Sequence, residues 1–324
     1  MQAFAVERKD WLADKLTQPG ITPAHDTFNR IFQIIDPEQL SKGLAEDGKL
    51  LLESLKGELI TIDGKKQRGV DPTSRGNSGL FILNAWVGKA GVCIGQTKVM
   101  EKSNEITAIP ALLNELELQG STVSIDAMGC QHEIANQIVD LKADYLLALK
   151  GNQGDLFEEV SEAFEYGLIQ ASDEDWEYDH GRYETRRCEV MAAAGYLSPN
   201  FEHTWSSVRQ FVRITATRQT TGTKTSQTRY YLTSHAEDRN AAQLNALVRH
   251  HWSIENQLHW HLDVTFNEDG CRARTKNAPL NLSVMRKLAL HRVKQDKSKL
   301  SQKKRRFKAS MNTGYLDNLL SIGF

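Results

Sequence analysis

The sequence predicts an α/β fold: a mixed sheet flanked by helices, with a β-rich insertion and a helical N-terminal segment. Three observations predict it. Residues 57–99 carry three strand patterns, the second and third joined by Gly88-Lys89-Ala90-Gly91, a short glycine-rich hairpin turn. Residues 106–152 then alternate between helical and strand periods, which places helices on the faces of a sheet. Between 155 and 238 an acidic helical stretch gives way to β-rich segments around 183–193, 208–218 and 228–234, before helical periodicity returns.

Residues 1–50 read as short helices. Trp11, Leu12 and Leu16 lead into a Pro19-Gly20 break, and Thr22-Pro23 then resembles an N-cap followed by proline at the first helical position. Phe28, Ile31, Phe32 and Ile35 follow at i, i+3, i+4, i+7, and Asp36-Pro37 repeats the cap for a third helix. Such a pair of helices suits a helix-turn-helix and equally an ordinary helical hairpin. Residues 51–154 form the first part of the core, with strands expected at 58–63, 79–87 and 91–99. A helix at about 106–118, a strand ending at Asp126, a helix at about 132–142 and a strand over 144–152 complete it. Residues 239–275 carry a core helix, and 276–324 a basic helical segment.

The chain has 40 basic and 41 acidic residues, a near-neutral balance that by itself selects no partner. Their distribution is uneven. Asp155 to Asp179 holds ten acids and no Lys or Arg, whereas Arg286 to Lys308 holds eleven basic residues and one acid, Asp296. The basic end suits a polyanion, or else is a solvated tail. Four widely spaced cysteines without a C-x-x-C pair argue against a zinc module or a disulfide framework and fit a reducing cytosol. No stretch approaches a membrane-spanning length, and the first residues lack the apolar run of a signal peptide.

Three carboxylates stand out. Asp63 and Asp126 each close a short apolar strand, in ELITIDGKKQRG (58–69) and STVSIDAMGCQ (121–131). Glu255 falls among Leu244, Val248, His251, Leu258 and Leu262 at helical spacing, on an apolar stripe where a carboxylate needs a cation or hydrogen-bond donors. Strand, strand, helix is the order of a site that holds two divalent ions for phosphoryl transfer, with Mg²⁺ or Mn²⁺ as the ions carboxylates suit. A rival set, His251, Glu255 and His259 on one helix face, has the spacing for zinc, but H-E-x-x-H is absent. Candidate phosphate contacts are Lys65, Lys66 and Arg68 after the first aspartate, Lys150 after a strand, and the run Lys303, Lys304, Arg305 and Arg306. In HGRYETRR (180–187), Arg182 suits either DNA backbone or a salt bridge to the preceding acidic helix.

KSNEITAIPALLNELELQGSTVSIDAMGCQ (102–131), YLLALKGNQ (145–153), DHGRYETRRCEV (179–190) and HWSIENQLHWHLDVTFNEDGCRAR (251–274) resemble the H-repeat-associated family of bacterial insertion-sequence DDE transposases. The resemblance covers nearly the whole chain. It implies a ribonuclease-H-like catalytic domain whose DDE triad falls on Asp63, Asp126 and Glu255. It implies metal-dependent phosphodiester hydrolysis and strand transfer, double-stranded DNA as partner at element ends and target, a homo-oligomer assembled on DNA, and work at the nucleoid in the bacterial cytoplasm. Broader DDE transposases often place Tyr and Arg before the glutamate and Lys after it; Val248, His251 and Leu262 stand there here. Family members usually carry a further helical segment ahead of the position of Trp11, so a shortened copy is expected. The alternatives are a non-mobile remnant that binds DNA without catalysis and a stand-alone metal nuclease.

Overall fold

Among the described residues nine strands form one mixed sheet. The structure, a computed structural model, describes residues 1–16, 21–70, 79–99, 105–179, 181–236 and 239–322; the expected Pro19-Gly20 break and His180 lie outside them. The strands are β1 (Leu59–Gln67), β2 (Leu80–Val87), β3 (Val92–Val99), β4 (Thr122–Ile125), β5 (Asp144–Leu149), β6 (Ala171–Asp179), β7 (Arg182–Ala192), β8 (Gln210–Thr220) and β9 (Thr223–Thr233). Their order is β3-β2-β1-β4-β5-β9-β8-β7-β6. β1, β4 and β5 run parallel, whereas β1–β2 and β2–β3 are antiparallel. The turn from β2 to β3 has Gly91 at φ +72°, a left-handed conformation that glycine adopts without a Cβ penalty.

Twelve helices surround the sheet among the described residues: α1 (Gln2–Glu7), α2 (Lys9–Ala13), α3 (His25–Ile34), α4 (Pro37–Leu50), α5 (Glu105–Asn114), α6 (His132–Asp140), α7 (Gly154–Tyr166), α8 (Pro199–Thr204), α9 (Ala241–His251), α10 (Ala278–Gln295), α11 (Gln302–Met311) and α12 (Thr313–Leu320). The Asp36-Pro37 cap is present, with the Asp36 carboxylate accepting from the Glu38 N–H. Thr22-Pro23 is not a cap, since α3 begins later, from Ala24. Alternation along the strands divides the core into clusters on the two faces of the sheet, one of them between α9 and β5, β7, β8 and β9. Ile60 and Ile62 of β1, Val123 and Ile125 of β4, and Leu83 and Ala85 of β2 pack with α5, α6 and α7. On the other face Trp86 and Cys93 pack with Leu44 of α4, Val284 and Leu290 of α10, and Ile254, Leu258 and Leu262.

Three expectations need correction. β1 does not end at Asp63-Gly64; it continues to Gln67, with Asp63 opposite Asn84 and Lys65 opposite Ile82. Long-range partners for Lys65, described below, hold this polar half in the sheet. The β-rich insertion is not a separate body: β9 pairs with β5, Leu146 opposite Thr233 through Leu149 opposite Tyr230, so β6–β9 extend the same sheet. Glu255 does not share the buried stripe. After α9 the chain forms two π-helical turns, Glu255–His259 and His261–Thr265, in which the Trp260 N–H reaches the Glu255 carbonyl. Ile254, Leu258 and Leu262 are buried, while the Glu255 side chain remains 59% exposed and opens on the cleft described below. No described helix is long and apolar enough to cross a membrane.

Candidate active site

The register of β1 against β4 brings the first two carboxylates together. Ile62 lies opposite Ile125, so Asp63 and Asp126 are the next residues on adjacent parallel chains, about 4.8 Å apart at the backbone. Since Ile62 and Ile125 both face the α5/α6 core, the aspartates after them turn to the opposite face. There Asp126 caps a short turn, its Oδ1 accepting from the Met128 N–H at 3.1 Å, and Asp63 Oδ1 accepts from the Gly64 N–H at 2.9 Å. Gly64 has to be glycine: a Cβ would lie 2.2 Å from the Phe81 ring and 2.8 Å from Glu105 Oε1.

Two histidines, four residues before and four after Glu255, pin its segment over these two aspartates. The His251 Nδ1 lies 2.6 Å from Ser124 Oγ, two residues before Asp126. His259 is buried, with Nδ1 3.0 Å from Glu255 Oε2 and 3.6 Å from Asp63 Oδ2. The rival zinc set is therefore divided: His259 stays with Glu255, while His251 belongs to Ser124. Asp63, Asp126 and Glu255 all line one cleft of about 450 Å³, with Lys150, Arg229 and Trp252 at its walls.

The cleft concentrates negative charge. Burial pushes the Asp63 carboxyl up to about 6; His259 and the Gly64 N–H pull it back down, and Asp126 and Glu255 push it further up. The hydrogen bond from His259 holds Glu255 below the usual carboxylate range. Burial drives His251 down to about 4, so it is neutral at physiological pH. Glu105, at the start of α5, does not line the cleft but is a further carboxylate near Asp126 and Asp63 that sequence reading missed. Burial, then Asp126 and Asp63, raise it to about 7. Nothing in its local sequence marks it; only Gly64 hints at a close neighbour. One ligand atom each from Asp63, Glu255 and His259 fall within 4.8 Å of one another, a donor set able to hold a divalent cation.

The candidate DNA contacts separate into two groups. Lys150 is exposed on the cleft wall, and Lys66 and Arg68 are exposed at the end of β1. Arg182 is half exposed, 3.8 Å from Glu184, so its partner is on its own strand and not on the acidic helix. Lys303 and Lys304 are exposed on α11, and Arg306 lies over the Phe266 ring and donates to the Thr265 carbonyl. Lys65 and Arg305 are corrected. Lys65 is buried, its ammonium 2.7 Å from Asp263, 3.4 Å from Glu268 and 3.6 Å from Asp269. Arg305 turns inward and donates to the Val293 carbonyl at 2.8 Å and to Ser298 O. The basic run from Arg286 is likewise not all surface, since Lys287 is fully buried against Gln96 and Ser283. All four cysteines are free.

The transposase DDE domain family matches residues 55–291, from just before β1 into α10. "Putative transposase YncI" of Escherichia coli O157:H7 is 36% identical over 329 aligned positions, covering 99% of this chain and 84% of that protein. "H repeat-associated putative transposase YhhI" of Escherichia coli K12 is 34% identical over 308, covering 92% of this chain and 81% of that protein. "H repeat-associated putative transposase YbfD" of the same strain is 38% identical over 168, covering 51% and 66%. The resemblance read from the sequence motifs is borne out, and with it the ribonuclease-H-like mixed sheet.

Proposed function

The chain belongs to the family of transposases built on a DDE domain, and we propose that it is the transposase of a bacterial insertion sequence, cutting DNA at the element's ends and joining them to target DNA. The observation that carries this reading is the convergence of Asp63, Asp126 and Glu255, from β1, the end of β4 and a π-helical turn, on one cleft. In the first step a water oxygen bonds to phosphorus, and the bond from phosphorus to the element's 3′-oxygen breaks. That oxygen takes up a proton, and the flanking strand keeps a 5′-phosphate. In the second step the freed 3′-hydroxyl loses its proton and attacks a target phosphorus, displacing the target's own 3′-oxygen. No bond to the protein forms.

Two divalent ions, Mg²⁺ or Mn²⁺, would supply charge stabilisation at the phosphate and lower the pKa of the attacking hydroxyl. Asp63 and Asp126 would share them and Glu255 would complete the set. His259 Nδ1 orients Glu255 at 3.0 Å. Lys150, Lys66, Arg68, Arg182, Lys303, Lys304 and Arg306 would meet DNA phosphates. Joining needs both element ends in hand, so the working form is a homo-oligomer assembled on DNA at the nucleoid.

The test uses a supercoiled plasmid carrying the sequences that flank the gene. Wild-type protein should nick it only with Mg²⁺ or Mn²⁺. Asp126→Asn should abolish nicking and leave DNA binding intact, because a neutral amide ligates these ions poorly. Nicking by that variant at the wild-type rate would overturn the reading, and wild-type binding without nicking would mark a DNA-binding remnant.

A further inference from the structure

We propose that the groove between α9 and strands β7, β8 and β9 carries the DNA strand away from the carboxylate cleft, with phosphates on its arginines and a base against Trp252. This groove, about 720 Å³, adjoins the cleft and shares Gln227, Arg229 and Trp252 with it. β9 forms the connection, with Tyr230 and Tyr231 lining the cleft and Thr225 and Ser226 lining the groove.

Its charge is unbalanced. Arg182, Arg186 and Arg218 converge on one carboxylate, Glu184, at 3.8, 2.9 and 3.2 Å. Alternation places Arg182, Glu184 and Arg186 on one face of β7, and the register sets Arg218 directly across from Glu184. One carboxylate cannot neutralise three guanidiniums, and Glu184 is already buried beneath them. Arg249 does not add to the excess, because Asp175 and Glu177 hold it. Arg229 does add to it. It hydrogen-bonds Gln227, lies 5.1 Å over the Trp252 ring, and has no carboxylate partner among the described residues. Guanidiniums with unused donors on an open groove favour phosphate, which they can grip in bidentate fashion.

Trp252 supplies the second half of the argument. It is 47% exposed exactly where cleft and groove meet. An exposed indole beside cations is the pairing that holds unpaired bases through stacking, without regard to sequence. Cleavage at the carboxylates interrupts the backbone beside a base pair, and a base that unpairs at that break can stack on Trp252.

This inference rests on the transposase reading for the DNA to be there, so its test is a binding measurement in EDTA, where cleavage plays no part. The probe is a fluorescein-labelled duplex of arbitrary sequence, with or without a single-stranded 3′ extension, titrated with the full chain across a range of salt. Arg229→Gln, which leaves no acid unpaired, should flatten the slope of log K against log salt by about 0.9, the contribution of one phosphate. Arg182→Gln with Arg218→Gln should flatten it by about two. Trp252→Ala should weaken the extended probe by about tenfold and the blunt probe much less. Unchanged slopes in Arg229→Gln and the double variant, with wild-type affinity retained, would empty the groove of DNA and leave the transposase reading standing. If the double variant does not fold, Arg229→Gln decides alone. Failure of the wild-type chain to bind either probe at low salt would sink both readings.

Discussion

Replacing Asp63 with asparagine should make the metal-free protein more stable at pH 8, although it removes a residue proposed as essential. The carboxyl is driven from its ordinary 3.8 to about 6, chiefly by burial and further by Asp126 and Glu255. Because the folded pKa lies above the unfolded one, the stability it contributes is fully present below pH 4 and is lost as pH rises through 6. At pH 8 the folded chain therefore carries the full cost of an ionised Asp63. At about 1.4 kcal/mol per pH unit the displacement corresponds to about 3 kcal/mol. The side chain is 28% exposed, and screening by solvent in the cleft reduces this to about 1–2 kcal/mol. For a chain of this length that is a rise of a few degrees in Tm. The assay is thermal unfolding in EDTA at pH 8, 6 and 4, comparing Asp63→Asn with wild type. The gain should be largest at pH 8 and vanish near pH 4. Mg²⁺ should raise the wild-type Tm at pH 8 and leave the variant unmoved. A variant less stable than wild type at pH 8, or a gain independent of pH, would refute the picture of a cleft strained by uncompensated charge.

Lys65→Met should lower stability by about 3–5 kcal/mol in chemical denaturation, because Glu268, 1% exposed, would keep only Arg286 at 3.4 Å. The same variant should leave the salt slope of DNA binding as it is. Lys303→Gln with Lys304→Gln should flatten that slope by about two and leave Tm unchanged. Arg305→Gln should do the reverse, costing about 1–3 kcal/mol through the orphaned Val293 and Ser298 carbonyls.

Local signals carried much of the fold. Strand alternation, the Gly88–Gly91 turn and the Asp36-Pro37 cap each depend on neighbours a few residues away, and each is found where the sequence places it. What local patterns could not show depends on distant partners. Gly64-Lys65-Lys66 looks like a turn, yet it is strand because Asp263, Glu268 and Asp269, about two hundred residues later, neutralise Lys65. A regular 3.6-residue period puts Glu255 on the apolar stripe; Leu258 and Leu262 are buried there, but Glu255 opens on a cleft that exists only because the strands of Asp63 and Asp126 meet it. Spacing alone makes His251 and His259 candidate zinc ligands. Ser124 and Asp63, which give them their places, come from other strands. Net charge per segment misled at the C-terminal end, where Lys287 and Arg305 point inward and the surface charge is smaller than the count.

The central claim is that Asp63, Asp126 and Glu255 jointly hold two ions for phosphoryl transfer. Crystals of the full chain soaked in Mn²⁺ and measured at the manganese edge test it most directly. Two anomalous peaks about 3.5–4 Å apart, each within coordinating distance of these carboxylates, and loss of at least one peak in Asp126→Asn, are the predicted result. Peaks elsewhere, or a single ion held only by surface acids while the cleft stays empty, would contradict it.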